Sequence, residues 1–334
     1  MNTRKRLALL AAAVMLLTMV LGSAAMAEGK QRTYFISPKM VGAAYWEYAK
    51  EGALKAGEDL GVEVIWNGTP EVDAAKQVNM IQDMLIREVD GLAVAVNDAT
   101  SMTNVFDEAA QANIPVVTFD SDSSDAERAF YIASDTDEAI GLAFLDCLIQ
   151  QMEAPKGKIA IMIASPSAAN IIAWRDAAMA KLEADYPEIE VVGVYPSNDD
   201  SQKAYENAVS FIQANPDLDG ILCMAAGETP SACKAVEEAV AAGQLSAGQV
   251  KIGGMGIPSM MKDYIANGTT EYCVMWNPSD LGYAATWVLD QLAQGNTIED
   301  GVDIGLDNPL KVIDDTIYIG TFTFNKDTID QYPF

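Results

Sequence analysis

Apolar and polar positions along the chain follow two alternating rhythms. Tyr34, Phe35 and Ile36 form a short apolar run bounded by Pro38, the pattern of a strand buried on both faces of a parallel sheet. From Tyr45 onward, Tyr48, Ala49, Ala53, Ala56 and Leu60 recur at helical spacing until Gly61 stops them. Helical periodicity returns over Asp73 to Arg87, with Val78, Ile81, Met84 and Leu85 on one face, and over Ala204 to Ala214, with Ala208, Phe211 and Ile212. Strands are predicted to begin near Thr33, Val62, Gly91, Pro115 and Tyr131, and again near Lys158, Ile189, Gly220, Lys251 and Thr270. The first three starts are 29 residues apart and the first three of the second set 31 apart, the length of a βαβ unit. Each set also has an Asp-Gly before its third strand, Asp90-Gly91 and Asp219-Gly220.

This pattern predicts an α/β fold of two doubly wound parallel-sheet lobes joined by a multi-crossover hinge. A helix over Asp135 to Met152 opens the second lobe, which makes Ser134-Asp135 one crossing and Trp276-Asn277-Pro278 another. The run Thr321-Phe322-Thr323-Phe324 reads as a strand, so a further crossing is expected between Gly301 and Ile317. The expected division is 30–134 plus 278–305 for the first lobe and 135–277 plus 306–334 for the second. Such an arrangement makes a cleft that closes by hinge bending.

The amino terminus stands outside this rhythm. Arg4, Lys5 and Arg6 precede an apolar stretch from Leu7 to Leu21, and Ala25-Met26-Ala27 is a small-x-small cleavage site. Residues 1–27 therefore read as a signal peptide cleaved before Glu28, and the protein as exported and periplasmic. Without those three basic residues the formal charge moves from −27 to −30, a field that repels nucleic acid and anionic lipid surfaces. The four cysteines, Cys147, Cys223, Cys233 and Cys273, have no CxxC spacing. Export permits a disulfide, but Cys223 and Cys273 fall inside apolar strands, and free buried thiols are the expectation.

The chain has no histidine, which removes Ser-His-Asp and Cys-His catalysis and every His-ligated metal motif. The run from Asp120 to Asp125 resembles the start of a calcium loop, but Asp125 stands where glycine is needed and Tyr131 where glutamate is needed. Neither a dinucleotide fingerprint, a phosphate-binding loop nor a nucleophile elbow is present, so no cofactor and no metal are expected.

Ligands of open α/β sheets collect at the carboxyl ends of strands, and the residues there form a coherent set. Lys39, Tyr45 and Trp46 supply a cation and two aromatics after the first strand, although both rings also suit the core face of a helix. Asp120 ends the fourth strand, where its carboxylate can accept from a vicinal diol or cap a turn. Asn170 follows the first strand of the second half, as ligand contact or helix cap. Trp276 and Asn277 end the last core strand, where the indole can stack on a ring face or pack the hinge.

Pro38 to Gly61 with its Tyr45-Trp46 pair, Ile114 to Asp120, Tyr131-Ile132-Ala133-Ser134-Asp135 and Trp276-Asn277-Pro278 together resemble the ribose-type (type I) periplasmic substrate-binding proteins of ABC transporters. Pro38-Lys39-Met40-Val41-Gly42, Phe119-Asp120-Ser121-Asp122 and the end from Phe324 to Phe334 are most similar to the autoinducer-2 and rhamnose-binding branch. The resemblance implies a non-enzymatic importer subunit with an inner-membrane permease as partner, and a closing hinge with exposed lobe faces is expected to work as a monomer. It carries over Lys39, Asp120, Ala226 and Trp276 as ligand-binding positions. It departs at Asn170-Ile171, where autoinducer-2 receptors have Asp-Gln, at Asn277, where they have aspartate, and at Met255, where ribose binders have aspartate. Those changes point to an uncharged sugar or deoxysugar, with Ile171 and Met255 against an apolar edge, as readily as to autoinducer-2. A ligand-presenting subunit of a membrane sensor and an exported sugar hydrolase are the alternative readings.

Overall fold

A computed structural model describes residues 31–123 and 125–334, so the signal-peptide segment lies outside the described residues. The first half runs β1 (Thr33–Ser37), α1 (Ala44–Leu60), β2 (Glu63–Trp66), α2 (Ala74–Ile86), β3 (Gly91–Val94), α3 (Thr103–Gln111), β4 (Val116–Phe119) and β5 (Phe130–Ala133). The second runs α4 (Asp137–Ile149), β6 (Gly157–Ile163), α5 (Ala169–Asp185), β7 (Ile189–Pro196), α6 (Ser201–Ala214), β8 (Leu218–Cys223), α7 (Glu228–Ala241), β9 (Lys251–Met255), α8 (Pro258–Asn267) and β10 (Cys273–Met275). There follow α9 (Pro278–Ala293), β11 (Lys311–Ile313), β12 (Thr316–Tyr318) and β13 (Phe322–Phe324).

Two sheets result, ordered β11-β12-β5-β4-β3-β1-β2 and β13-β10-β9-β8-β6-β7. All pairings within them are parallel except those of β11 with β12 and β13 with β10. Central strands such as β3 are buried at every residue, which is why they appear in the sequence as unbroken apolar runs. The two Asp-Gly pairs perform the same task in each lobe. The Asp90 carboxylate accepts from the Thr33 N–H at 2.8 Å, and the Asp219 carboxylate from the Lys158 N–H at 2.8 Å, each tying its third strand to the start of its first.

Helix ends follow their local chemistry. Gly61 stops α1 at φ 68°, a left-handed position that glycine adopts without steric cost. Asp73 caps α2 by accepting from the Lys76 N–H, and Thr136 caps α4 by accepting from the Ala139 N–H. Helices α1 and α9 pack almost backbone to backbone: a Cβ on Gly52 would sit 1.8 Å from the Ser279 carbonyl oxygen, and one on Gly282 1.9 Å from that of Ala49.

The chain passes between the sheets three times: between β5 and α4, between β10 and α9, and between β12 and β13. The first two lie at the β5–α4 and β10–α9 junctions. The third corrects the expectation. Ile317 and Tyr318 pair in parallel with Ile132 and Ala133, so β11 and β12 belong to the first sheet and the crossing comes at 319–321, after the expected window. The division that gave 306–334 to the second lobe therefore holds only from β13 onward. Strands of three residues, one pair of them antiparallel, carry too little periodicity to be assigned to a sheet from sequence. All four cysteines are free and buried, as expected.

Candidate functional site

Strand ends of both sheets contribute to one cavity of about 180 Å³. The β1–α1 segment supplies Lys39, Tyr45 and Trp46, and the turn after β4 supplies Asp120. From the other sheet, the start of α5 supplies Asn170, Ile171 and Trp174, the β7–α6 loop Asp199, and the β8–α7 loop Met224, Ala225 and Ala226. Met255 and Trp276 complete the wall at the ends of β9 and β10.

A polar network joins the two lobes across this cavity. The Asp120 carboxylate receives the Lys39 ammonium at 2.7 Å on one oxygen and the Tyr45 hydroxyl at 2.7 Å on the other. Lys39 also donates to Asn170 Oδ1 at 3.2 Å, while Asn170 Nδ2 donates to the Asp120 carbonyl at 2.8 Å. Trp276 Nε1 donates to the Tyr45 hydroxyl at 2.9 Å. Burial and the neighbouring Asp120 charge push the Tyr45 phenol well above its ordinary range, so it stays protonated and can donate. Asp120 itself has φ 63°, a left-handed conformation that aspartate tolerates better than most residues. The Tyr131 hydroxyl holds its carbonyl at 2.9 Å.

The aromatic wall is built of edge-to-face contacts. Tyr45 meets Trp46 at 4.8 Å and Trp276 at 6.2 Å between ring centroids, and Trp174 meets Trp276 at 5.7 Å. Trp46 thus sits both in the core and in the cavity wall. Trp174 is fixed by its Nε1, which donates to Asp137 at 2.8 Å; burial raises that carboxyl to about 6. Beneath the cavity, Glu228 links two wall loops, accepting from the Ser197 hydroxyl at 2.7 Å and the Met224 N–H at 2.9 Å, and burial raises it to about 8.

Seven of the eight expected positions line the cavity: Lys39, Tyr45, Trp46, Asp120, Asn170, Ala226 and Trp276. Asn277 does not. It caps α9, accepting from the Ser279 N–H and donating to Asp280 and Asp307, and it faces a separate hollow beside the hinge. An Asn-Pro at a strand end serves a helix start as well as it would a ligand, and here the helix takes the amide. The sequence reading missed Asp199 and Trp174. Asn198-Asp199-Asp200 has the composition of a turn and cap, which concealed the side chain that faces inward.

A cleft between two α/β lobes, lined from the strand ends of both and sized for one small molecule, defines a two-lobed small-molecule receptor. The chain belongs to the periplasmic binding proteins, matching the periplasmic binding protein domain over residues 34–297. It is an exported binding protein, of a family that captures solutes rather than transforming them. The D-xylose-binding periplasmic protein of Escherichia coli strain K12 is 30% identical over 277 residues, covering 80% of this chain and 78% of that one. An ABC transporter solute binding protein of Clostridium phytofermentas with bound L-rhamnose has a TM-score of 0.81 at 24% identity, covering 91% of this chain and 98% of that one. LsrB of Clostridium saccharobutylicum in complex with AI-2 has a TM-score of 0.79 at 24% identity, covering 90% and 100%. At those identities the two solved structures establish the fold.

Proposed function

We propose that this protein captures a neutral monosaccharide, a pentose or deoxyhexose, between its lobes and delivers it as a monomer to the permease of an ABC importer. The observation that carries the reading is the cross-lobe network of Lys39, Asp120, Asn170, Tyr45 and Trp276 inside a cavity of about 180 Å³. That volume lies below the roughly 300–1,000 Å³ of sites for drug-sized ligands, which suits one sugar ring. Carboxylate, ammonium and amide groups pair with hydroxyls in fixed directions, while Trp46, Trp174 and Trp276 cover ring faces. Ile171 and Met255 give a deoxysugar an apolar edge to lie against. The D-xylose-binding relative at 30% identity favours a sugar.

The lobes need only bind the ligand better closed than open for it to hold them together. A thermal-shift screen of the mature protein, stripped by unfolding and refolding, tests the reading against D-xylose, D-ribose, D-arabinose, L-rhamnose and autoinducer-2. Ligand at 100 times its Kd adds about 2.7 kcal/mol of stability. One or more neutral sugars are expected to raise Tm; no shift with any sugar, in protein shown to be refolded, would overturn the reading.

A further inference from the structure

We infer that Asp199 is a ligand contact, the carboxylate with which the second lobe grips a hydroxyl of the bound molecule and turns away anions. The inference rests on the sugar-binding reading and names a selectivity that this reading leaves open. Among the described residues, three charged side chains line the cavity: Lys39, Asp120 and Asp199. The first two neutralise one another, and each Asp120 oxygen already accepts one bond, from Lys39 or from Tyr45, which leaves one lone pair on each. Asn170 is engaged at both ends of its amide. The Asp199 carboxylate makes no hydrogen bond to any described residue.

A carboxylate is an acceptor only, so it can be satisfied in the cavity only by a donor. A sugar hydroxyl supplies one. A uronate or aldonate would instead bring a like charge into a cavity where Lys39, the one lining ammonium among the described residues, is already paired with Asp120.

The backbone supports a dedicated position. Asn198 and Asp199 are both left-handed, at φ 59° and 56°, in two successive non-glycine residues. Such strain persists where surrounding structure over-determines it, and it concentrates at ligand sites. Here the preceding Ser197 is the anchor: its N–H donates to the Ile163 carbonyl at 2.8 Å and its hydroxyl to buried Glu228. Asp200 then caps α6 through the Lys203 N–H at 2.7 Å. Asp199 is held between these two fixed points.

Isothermal titration of the mature chain and of Asp199→Ala and Asp199→Asn is the test. The probes are D-xylose, D-arabinose and L-rhamnose, with D-xylonate, D-arabinonate and L-rhamnonate as their acids. Asp199→Ala is expected to weaken the neutral sugar about 10- to 100-fold, the range of a hydrogen bond to a charged group. Asp199→Asn tolerates the same backbone angle, which keeps the loop in place; it should weaken the sugar too, and narrow the gap between sugar and acid. If the parent binds a sugar and either Asp199→Ala changes its Kd less than twofold or the acid binds as tightly, the inference fails while the sugar-binding reading stands. If the parent binds none of the sugars, that reading fails and takes the inference with it.

Discussion

Glu228 lies under the cavity with its carboxyl fully enclosed, and replacing it with glutamine should make the protein more stable at neutral pH. Burial raises this acid from 4.5 to about 8, so it is protonated in the folded protein at pH 7 and ionised in the unfolded chain. For an acid raised on folding, the stability it contributes is fully present below the unfolded value and lost as pH rises toward the folded one. Each pH unit in that window costs about 1.4 kcal/mol, so holding Glu228 neutral at pH 7 costs roughly 3 kcal/mol. Glutamine can replace the protonated acid: its carbonyl can accept from the Met224 N–H, and its amide can donate to the Ser197 hydroxyl once that hydroxyl turns its own proton from residue 228 to the Ile163 carbonyl. The assay is Tm against pH from 4 to 9 for both proteins by differential scanning calorimetry. Groups that titrate alike in both, such as Asp137 and Asp280, cancel in the difference. The expected difference is near zero at pH 4.5, grows in favour of Glu228→Gln, and levels off above about pH 8. At about 2 °C per kcal/mol for a long chain, it should reach roughly 6 °C at pH 7. Parallel curves, or a variant less stable at pH 8, would refute the account of a buried neutral acid.

Asp120→Asn should both abolish measurable sugar binding and destabilise the protein by about 3 kcal/mol in urea unfolding, because the buried Lys39 ammonium loses its counter-charge; an unchanged midpoint would mean that the ion pair adds nothing. In Gly282→Ala, helix propensity favours alanine by about 1 kcal/mol, but the added Cβ meets the backbone of α1, so packing should win with a net loss of roughly 2 kcal/mol by calorimetry. A disulfide reagent should label no cysteine in the native protein and four after denaturation, since burial raises the Cys147 thiol to about 12 and the other three well above their ordinary range.

Most of the architecture was legible because strands buried on both faces leave unbroken apolar runs at regular spacing. Val116–Phe119 and Gly91–Val94 are such runs, and each begins within a residue of its predicted start. The site was legible for a related reason: parallel strands end on one rim, so Lys39, Asp120, Asn170 and Trp276 could be placed together without knowing a single distance. Two kinds of information were missing. β12 is three residues long and owes its place to pairing with β5, 185 positions earlier at Ile317 and Ile132, a contact with no local signature. Asn277 and Asp199 have side chains that serve helix ends and ligands equally well. Which of these a residue serves depends on where its neighbours leave it pointing, and that is decided by tertiary packing.

The return of β12 to the first sheet bears on the order in which the protein can assemble. Synthesis delivers the amino-terminal lobe first, and domains ordinarily fold as they emerge. This lobe cannot finish then, since α9, which packs on α1, and the strand pair β11–β12 arrive only after the α-helices and central strands of the other lobe have been made. The half that begins first is completed only after the central strands of the other. A growing chain therefore keeps one face of α1 and one edge of β5 uncovered until α9 and β12 appear, which holds the first lobe back from its full native packing while the core of the other lobe is being made.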